Sequence, residues 1–142
     1  MIWFKEYTLE DLNQLDRTGG LVSLLGFEMT EVGPDFLKGT LPVDERTRQP
    51  FGILHGGASC VLSESLGSIA AWMCIDPDTK MAVGLEINAN HIRSMREGIV
   101  TGTCRPLHKG RRTHVWQTDI HNQDKKLVCT SRLTVAIIDK PA

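Results

Sequence analysis

The fold is decided by one stretch, residues 49–73, which reads QPFGILHGGASCVLSESLGSIAAWM. The pair Gly56-Gly57 opens a helical segment that runs to about Met73, and Asp76-Pro77-Asp78 closes it. Apolar side chains recur along this segment at helical spacing and would face a sheet: Ala58, Val61, Leu62, Leu66, Ile69, Ala70 and Met73. The stretch therefore predicts one long helix with a buried face.

Strand-like segments lie on both sides of this helix. Two precede it, at about 27–32 and 36–41, and four follow it, at about 82–91, 98–106, 113–121 and 127–138. Near the N-terminus, Thr8 can cap a short helix through about Leu15. This order predicts an α+β fold, an antiparallel sheet packed on a single central helix, whose open edges favour self-association.

Length and composition fit a single globular domain over residues 1–142. Net charge is -1, so no basic field favours nucleic acid. The N-terminal residues lack a signal-peptide pattern, and no apolar run is long enough for a membrane span. We therefore expect a cytoplasmic protein whose cysteines are reduced core thiols: Cys60, Cys74, Cys104 and Cys129. No C-x-x-C pair occurs among them, so we expect no zinc site. We also expect no cofactor and no other metal site.

Glu64 is the only carboxylate between Phe51 and Ile75. On a helix it shares a stripe with small residues, namely Cys60, Gly67, Ser68 and Ala71. Such a stripe has room for a ligand or a closely packed helix, and burial there would raise the pKa of the carboxyl and make it a better base. The alternative is an ordinary solvated glutamate on a helix surface.

His55-Gly56-Gly57 lies where a loop becomes the helix. N–H groups in a first helical turn have no helical partners, and together with the helix dipole they can stabilise an oxyanion. Gln49, just upstream, could orient a carbonyl or a water molecule. A plain helix-starting turn with a surface amide is the alternative for both features.

Two basic loops follow, His91-Ile92-Arg93-Ser94 and His108-Lys109-Gly110-Arg111-Arg112. Arginine forks and glycine-exposed N–H groups suit phosphates, although solvated loop charge would give the same pattern. The phosphate-binding motifs G-x-x-x-x-G-K and G-x-G-x-x-G are missing, as is the G-x-S-x-G elbow of α/β-hydrolases, which excludes those classes.

Taken together, these segments resemble the hotdog-fold thioesterases of the phenylacetate and 4-hydroxybenzoyl-CoA type. The resemblance rests on Pro42-Val43-Asp44, on residues 49–59 and 64–68, on residues 84–91 and on residues 104–108, and it spans almost the whole chain. It is closest to the branch that acts on dihydroxynaphthoyl-CoA in menaquinone synthesis and to the branch that clears mischarged enterobactin carrier protein.

The resemblance implies hydrolysis of an acyl-CoA. Glu64 would be the nucleophile or general base, and the Gly56 N–H would polarise the thioester carbonyl, with Gln49 and His55 nearby. The resemblance also implies an active site built from two subunits and a dimer of dimers. Implied substrate contacts are Ser68, Ile69, Gly84, His91, Ile92, Arg93, Ser94, His108, Lys109, Gly110, Arg111, Arg112 and Thr113.

The distal loop departs from the family pattern, because Lys109 stands where relatives tend to carry leucine. Ile69 is a β-branched residue at a position flanking the acyl pocket, as in the menaquinone branch, and therefore favours an aryl-CoA substrate. The sequence leaves several alternatives open: a thioesterase on acylated carrier protein or medium-chain acyl-CoA, a non-catalytic acyl-CoA binding module, or a dehydratase. A dehydratase usually carries its histidine on the helix, whereas His55 precedes it.

Overall fold

The computed structural model describes residues 1–15 and 19–142. Its helices are α1 (Leu9–Asn13), α2 (Leu21–Leu25) and α3 (Gly56–Met73). Its strands are β1 (Glu28–Val32), β2 (Leu37–Val43), β3 (Lys80–His91), β4 (Gly98–Lys109), β5 (Thr113–His121) and β6 (Leu127–Asp139). The long helix and all six strands were predicted from the sequence, with boundaries that differ by up to three residues. Helix α2 was not predicted.

The strands form one sheet in the order β1-β2-β4-β5-β6-β3, and every neighbouring pair is antiparallel. Helix α3 packs along one face of this sheet and contacts strands β2 to β6. The apolar face of α3 is largely buried as predicted, while Val61 and Ile69 are only half-buried. The structure therefore confirms the α+β hotdog architecture.

Helix and sheet approach closely at Gly67. A Cβ on this glycine would lie 2.6 Å from Leu133 Cδ2, so only a residue without a side chain fits there. Gly67 and Ala71 are buried against the sheet and its surroundings. The expectation that the whole small-residue stripe leaves room beside Glu64 is therefore wrong for these two positions. At the end of α3, the Phe4 N–H donates to the Met73 carbonyl, so the N-terminal segment covers this end of the helix.

The N-terminal helix is shorter than predicted. Thr8 caps it as expected, with its Oγ1 accepting from the Asp11 N–H at 3.1 Å, but the helix ends at Asn13 rather than Leu15. No helix among the described residues is long and apolar enough to cross a membrane.

The four cysteines are free thiols. Cys104 and Cys129 are buried, and burial raises their pKa values to about 12 and about 11. Cys60 and Cys74 are only half-buried, so the description of all four as core thiols is correct for two of them. In the described part of the chain, no three metal-binding side chains cluster closely enough to hold an ion.

Candidate active site

The start of helix α3 presents a backbone donor. His55 is the N-cap, and its Nδ1 accepts the Gly57 N–H at 2.8 Å. The N–H groups of Ala58 and Ser59 both donate to the His55 carbonyl. No acceptor for the Gly56 N–H is found among the described residues, so this donor is free for a ligand.

The surroundings of Gly56 form a cleft of about 340 Å³, called here the Gly56 cleft. The His91 ring lies against Gly56, and its Nε2 is 2.8 Å from where a Cβ would stand. Gln49 Oε1 accepts the Phe51 N–H within its own loop, and no acceptor for its amide NH2 group is found among the described residues. The cleft is lined by Gln49, Ile53, Leu54, Gly56, Ser59, His91, Ile92, Arg93, Ser94 and Val128.

Glu64 lies in a second depression of about 260 Å³, called here the Glu64 pocket. No hydrogen bond or ion pair to its carboxylate is found among residues 1–15 and 19–142, and burial raises the pKa of this carboxyl above its ordinary value. Glu64 Oε1 is 2.5 Å from where a Cβ on Gly84 would stand, so any other residue at this position would displace the carboxylate. The other wall residues are Leu21, Cys60, Val61, Ser65 and Ile87.

Gly56 and Glu64 do not share a cleft within the chain. They are separated by two turns of helix, roughly 12 Å along its axis at 1.5 Å per residue. A thioester carbonyl is a single small group that needs its hydrogen-bond donor and its nucleophile about 3 Å away. Gly56 and Glu64 of one chain are therefore too far apart to contact the same carbonyl group.

The two basic loops are also apart. His91 pairs with Cys129 of β6, whereas Thr113, at the end of the distal loop, pairs with Ala136 of the same strand. Seven residues of strand span roughly 23 Å. Within one chain, the residues 91–94 reach the Gly56 cleft and residues 108–113 do not.

Ser68 and Ile69 lie on α3 beyond Glu64, both half-buried, and Ile69 packs against the core. Neither lines the Gly56 cleft or the Glu64 pocket of the single chain. Sequence reasoning missed Leu21, Ser59, Ile87 and Val128 as wall residues. Ser59 stands inside the quoted stretch, but no local pattern distinguishes the other three, because tertiary packing alone brings them to the site.

The thioesterase superfamily model matches residues 51–129, which is more than half of the chain. The chain belongs to the thioesterase superfamily. It is 53% identical over 138 residues to the 1,4-dihydroxy-2-naphthoyl-CoA hydrolase of Escherichia coli K12, covering 97% of this thioesterase and 100% of that one. It is 47% identical to the proofreading thioesterase EntH of Cronobacter turicensis, covering 97% and 99%. The resemblance to both branches is thereby confirmed, and this thioesterase is a thioester hydrolase.

Two solved structures of a Staphylococcus aureus relative each carry one substitution. One of its solved structures has a glutamate changed to alanine, with TM-score 0.82, 37% identity and coverage of 85% of this thioesterase and 100% of that chain. Another has a glutamine changed to alanine, fifteen positions earlier in that protein. Gln49 and Glu64 have the same separation here.

The raised pKa of Glu64 predicts how stability depends on pH. A carboxyl whose pKa is higher in the folded than in the unfolded chain contributes stability fully below the unfolded value, about 4.3, and loses that contribution as pH rises through the folded value. We therefore expect Glu64→Gln to unfold at higher urea concentration than the wild type at pH 7, with a smaller difference at pH 4. An equal difference in the urea midpoint between the variant and the wild type at pH 7 and pH 4 would contradict this. It would show that the folded chain does not disfavour the charged form of Glu64.

Proposed function

We propose that this thioesterase hydrolyses acyl-CoA esters at a site shared between two copies of the chain. One copy supplies the Glu64 carboxylate and the other supplies the Gly56 N–H. The observation that carries the proposal is a partly buried carboxylate that has no partner among the described residues and lies in an otherwise apolar pocket, because a structural glutamate would be expected to have a partner or open solvent.

The chemistry follows from the two groups. The thioester oxygen accepts the Gly56 N–H at the positive end of α3, which stabilises the negative charge that develops on it. The ionised Glu64 either attacks the carbonyl carbon, giving an anhydride that water then opens, or takes a proton from the attacking water. Both routes consume one water molecule and give a free acid and the CoA thiol. Label found in Glu64 after a single turnover in ¹⁸O-water would identify the first route, because only an anhydride opened at the Glu64 carbonyl places solvent oxygen there.

A two-fold axis near Cys60 would join the two half-sites. Gly56 and Glu64 lie four residues on either side of Cys60, so an antiparallel α3 from a second copy would bring Glu64 of one copy opposite Gly56 of the other. Strand β3 supports this arrangement, because it is an edge of the sheet, twelve residues long, with Val83 and Leu85 exposed. Such an edge offers unpaired N–H and C=O groups to another chain.

The same pairing explains the position of the distal loop. Residues 108–113 lie near the Lys80 end of β3, and the Gly56 cleft lies at its His91 end. Antiparallel pairing of two β3 strands would set the distal loop of one copy beside residues 91–94 of the other. The phosphates of one CoA would then meet basic side chains from both copies. We propose that two such dimers associate further, as the family resemblance implies.

An aryl group suits the Glu64 pocket. A cavity of about 150 Å³ holds a benzene ring, and the pocket measures about 260 Å³. The E. coli relative is named for 1,4-dihydroxy-2-naphthoyl-CoA, a two-ring substrate. We therefore propose an aryl-CoA such as dihydroxynaphthoyl-CoA or hydroxybenzoyl-CoA, and a cytoplasmic location, which the free thiols support.

The proposal is tested by measuring free thiol released from benzoyl-, hydroxybenzoyl-, dihydroxynaphthoyl- and octanoyl-CoA, and from an aryl-loaded carrier protein. We expect the highest kcat/KM with the two-ring CoA ester. Preference for the loaded carrier protein would support the alternative favoured by the similarity to EntH. Release from none of them would contradict the proposed function.

Removal of the basic side chains should affect only substrates that carry the nucleotide. Arg93, Arg111 and Arg112 are exposed and make no ion pair among the described residues. We expect their joint change to glutamine to raise KM for a CoA ester at least about tenfold, because each lost arginine-to-phosphate contact contributes on the order of 1 kcal/mol. KM for the matching N-acetylcysteamine thioester should stay within about twofold. A parallel rise for both substrates would show that these loops do not bind phosphate.

A further inference from the structure

Helix α2 forms one wall of the Glu64 pocket. Its first residue, Leu21, lines the pocket, whereas the remaining wall residues belong to α3 and β3. Those two elements are held by the sheet and the core, since α3 packs along the sheet and β3 pairs with β6 over its whole length. Among the described wall residues, Leu21 is therefore the one that lies outside α3 and β3.

The pocket offers little for polar recognition apart from Glu64. The Ser65 hydroxyl donates to the Val61 carbonyl at 2.6 Å, so its hydrogen is already engaged within the helix. Cys60, Val61, Leu21 and Ile87 present carbon and sulfur. Whatever group enters beside the carboxylate is consequently selected by its size and shape rather than by hydrogen bonds.

Helix α2 is weakly anchored at the end that carries Leu21. The helix has five residues, none of them buried, and Gly20 caps it without a side-chain hydrogen bond. Gly26, at its other end, is confined: a Cβ there would lie 2.9 Å from Arg46 and from Pro42. Gly19 has a φ of +73° and nothing within 4 Å of a Cβ position. The C-terminal end of α2 is thus confined, while Leu21, at the other end, is 60% exposed.

We propose that Leu21 sets the size limit for the acyl group that binds beside Glu64. The Leu21 side chain decides how much of the pocket a ring system can occupy. This inference rests on the proposed function, because it assumes that the acyl group of a thioester occupies the Glu64 pocket.

The test compares Leu21→Trp and Leu21→Ala with Leu24→Trp. Leu24 lies on the same helix, is 66% exposed and does not line the pocket, so its variant matches the change in volume outside the site. Leu21→Trp should lower kcat/KM for naphthoyl-CoA at least about tenfold and leave acetyl-CoA within about twofold, because one or two displaced carbon groups are worth about that factor. Leu21→Ala should raise the naphthoyl-to-benzoyl ratio of kcat/KM. Leu24→Trp should change neither this ratio nor the naphthoyl-to-acetyl ratio of kcat/KM.

Circular dichroism and thermal unfolding establish that each variant is folded. If the wild type is active and both Leu21 variants keep its naphthoyl-to-acetyl and naphthoyl-to-benzoyl ratios of kcat/KM, Leu21 does not set the size limit. The proposed function then still stands. Equal changes in the Leu21→Trp and Leu24→Trp ratios would also overturn the role of Leu21, since the effect would then belong to α2 as a whole. If the wild type hydrolyses no thioester, the proposed function fails and the inference fails with it.

Discussion

Replacement of Glu64 by alanine should lower kcat for the preferred CoA ester by about a hundredfold or more. Among the residues that the structure describes, the carboxylate is the only ionisable group lining its pocket apart from the thiol of Cys60, whose pKa is itself raised by burial and by the neighbouring carboxylate. General-base or nucleophilic assistance is worth roughly 10²–10⁴ in rate, and no other side chain in the pocket can replace it. Thiol release under saturating substrate measures the loss.

The fold should survive this change, because alanine has the highest helix propensity and Glu64 makes no hydrogen bond within the described chain. Glu28→Ala serves as a control that removes an exposed carboxylate from strand β1. Glu64→Gln keeps the size of the side chain and should be as inactive as Glu64→Ala. Turnover within about threefold of the wild type in a folded Glu64→Ala protein would remove Glu64 from the mechanism.

Two inactive variants should restore activity when they are combined in one dimer. Gly56→Pro removes the N–H that we propose polarises the carbonyl, and proline otherwise suits the first position of a helix. His55 already has the extended conformation that a following proline requires, with φ −66° and ψ 130°. We expect Gly56→Pro alone to lose about a hundredfold or more in kcat, the scale of losing one oxyanion donor.

In a hybrid of Gly56→Pro and Glu64→Ala chains, one of the two shared sites is intact. If chains mix at random, half of the dimers are hybrids, so roughly a quarter of wild-type activity should return. Native mass spectrometry of one isotope-labelled variant establishes that hybrids have formed. Gly56→Ala is the matched control, since it keeps the N–H but brings a Cβ against His91. Hybrids without recovered activity would mean that Gly56 and Glu64 of different chains do not act on the same thioester.

The central helix and the strands could be predicted because their patterns are long and regular. Helix α2 could not, since five residues are too few for an apolar pattern to stand out and its N-cap, Gly20, provides no side-chain hydrogen bond. The prediction that Gly67 and Ala71 leave room beside Glu64 was wrong because it used helical spacing alone. Helical spacing puts them on the face of Glu64, but the sheet and the N-terminal segment cover α3 unequally along its length.

The residues of the site could be predicted individually, but not their grouping. Gln49, Gly56 and residues 91–94 meet in one cleft, and Glu64 meets Gly84 in another. The distance between the two clefts follows from the rise of a helix. It was therefore implicit in the sequence, where Glu64 stands eight residues after Gly56. The depth of the pocket and its Leu21 wall depend on tertiary contacts that no local pattern encodes.

The most direct test of the shared site is a crystal structure of the protein with an aryl-CoA analogue in which a methylene group replaces the thioester sulfur. The ketone oxygen of this analogue should lie about 3 Å from the Gly56 N–H of one chain, with the Glu64 carboxylate of a second chain beside the carbonyl carbon. The CoA phosphates should contact residues 91–94 and 108–113 from different chains. A carbonyl contacted by Gly56 and Glu64 of the same chain, or one remote from Glu64, would contradict the account.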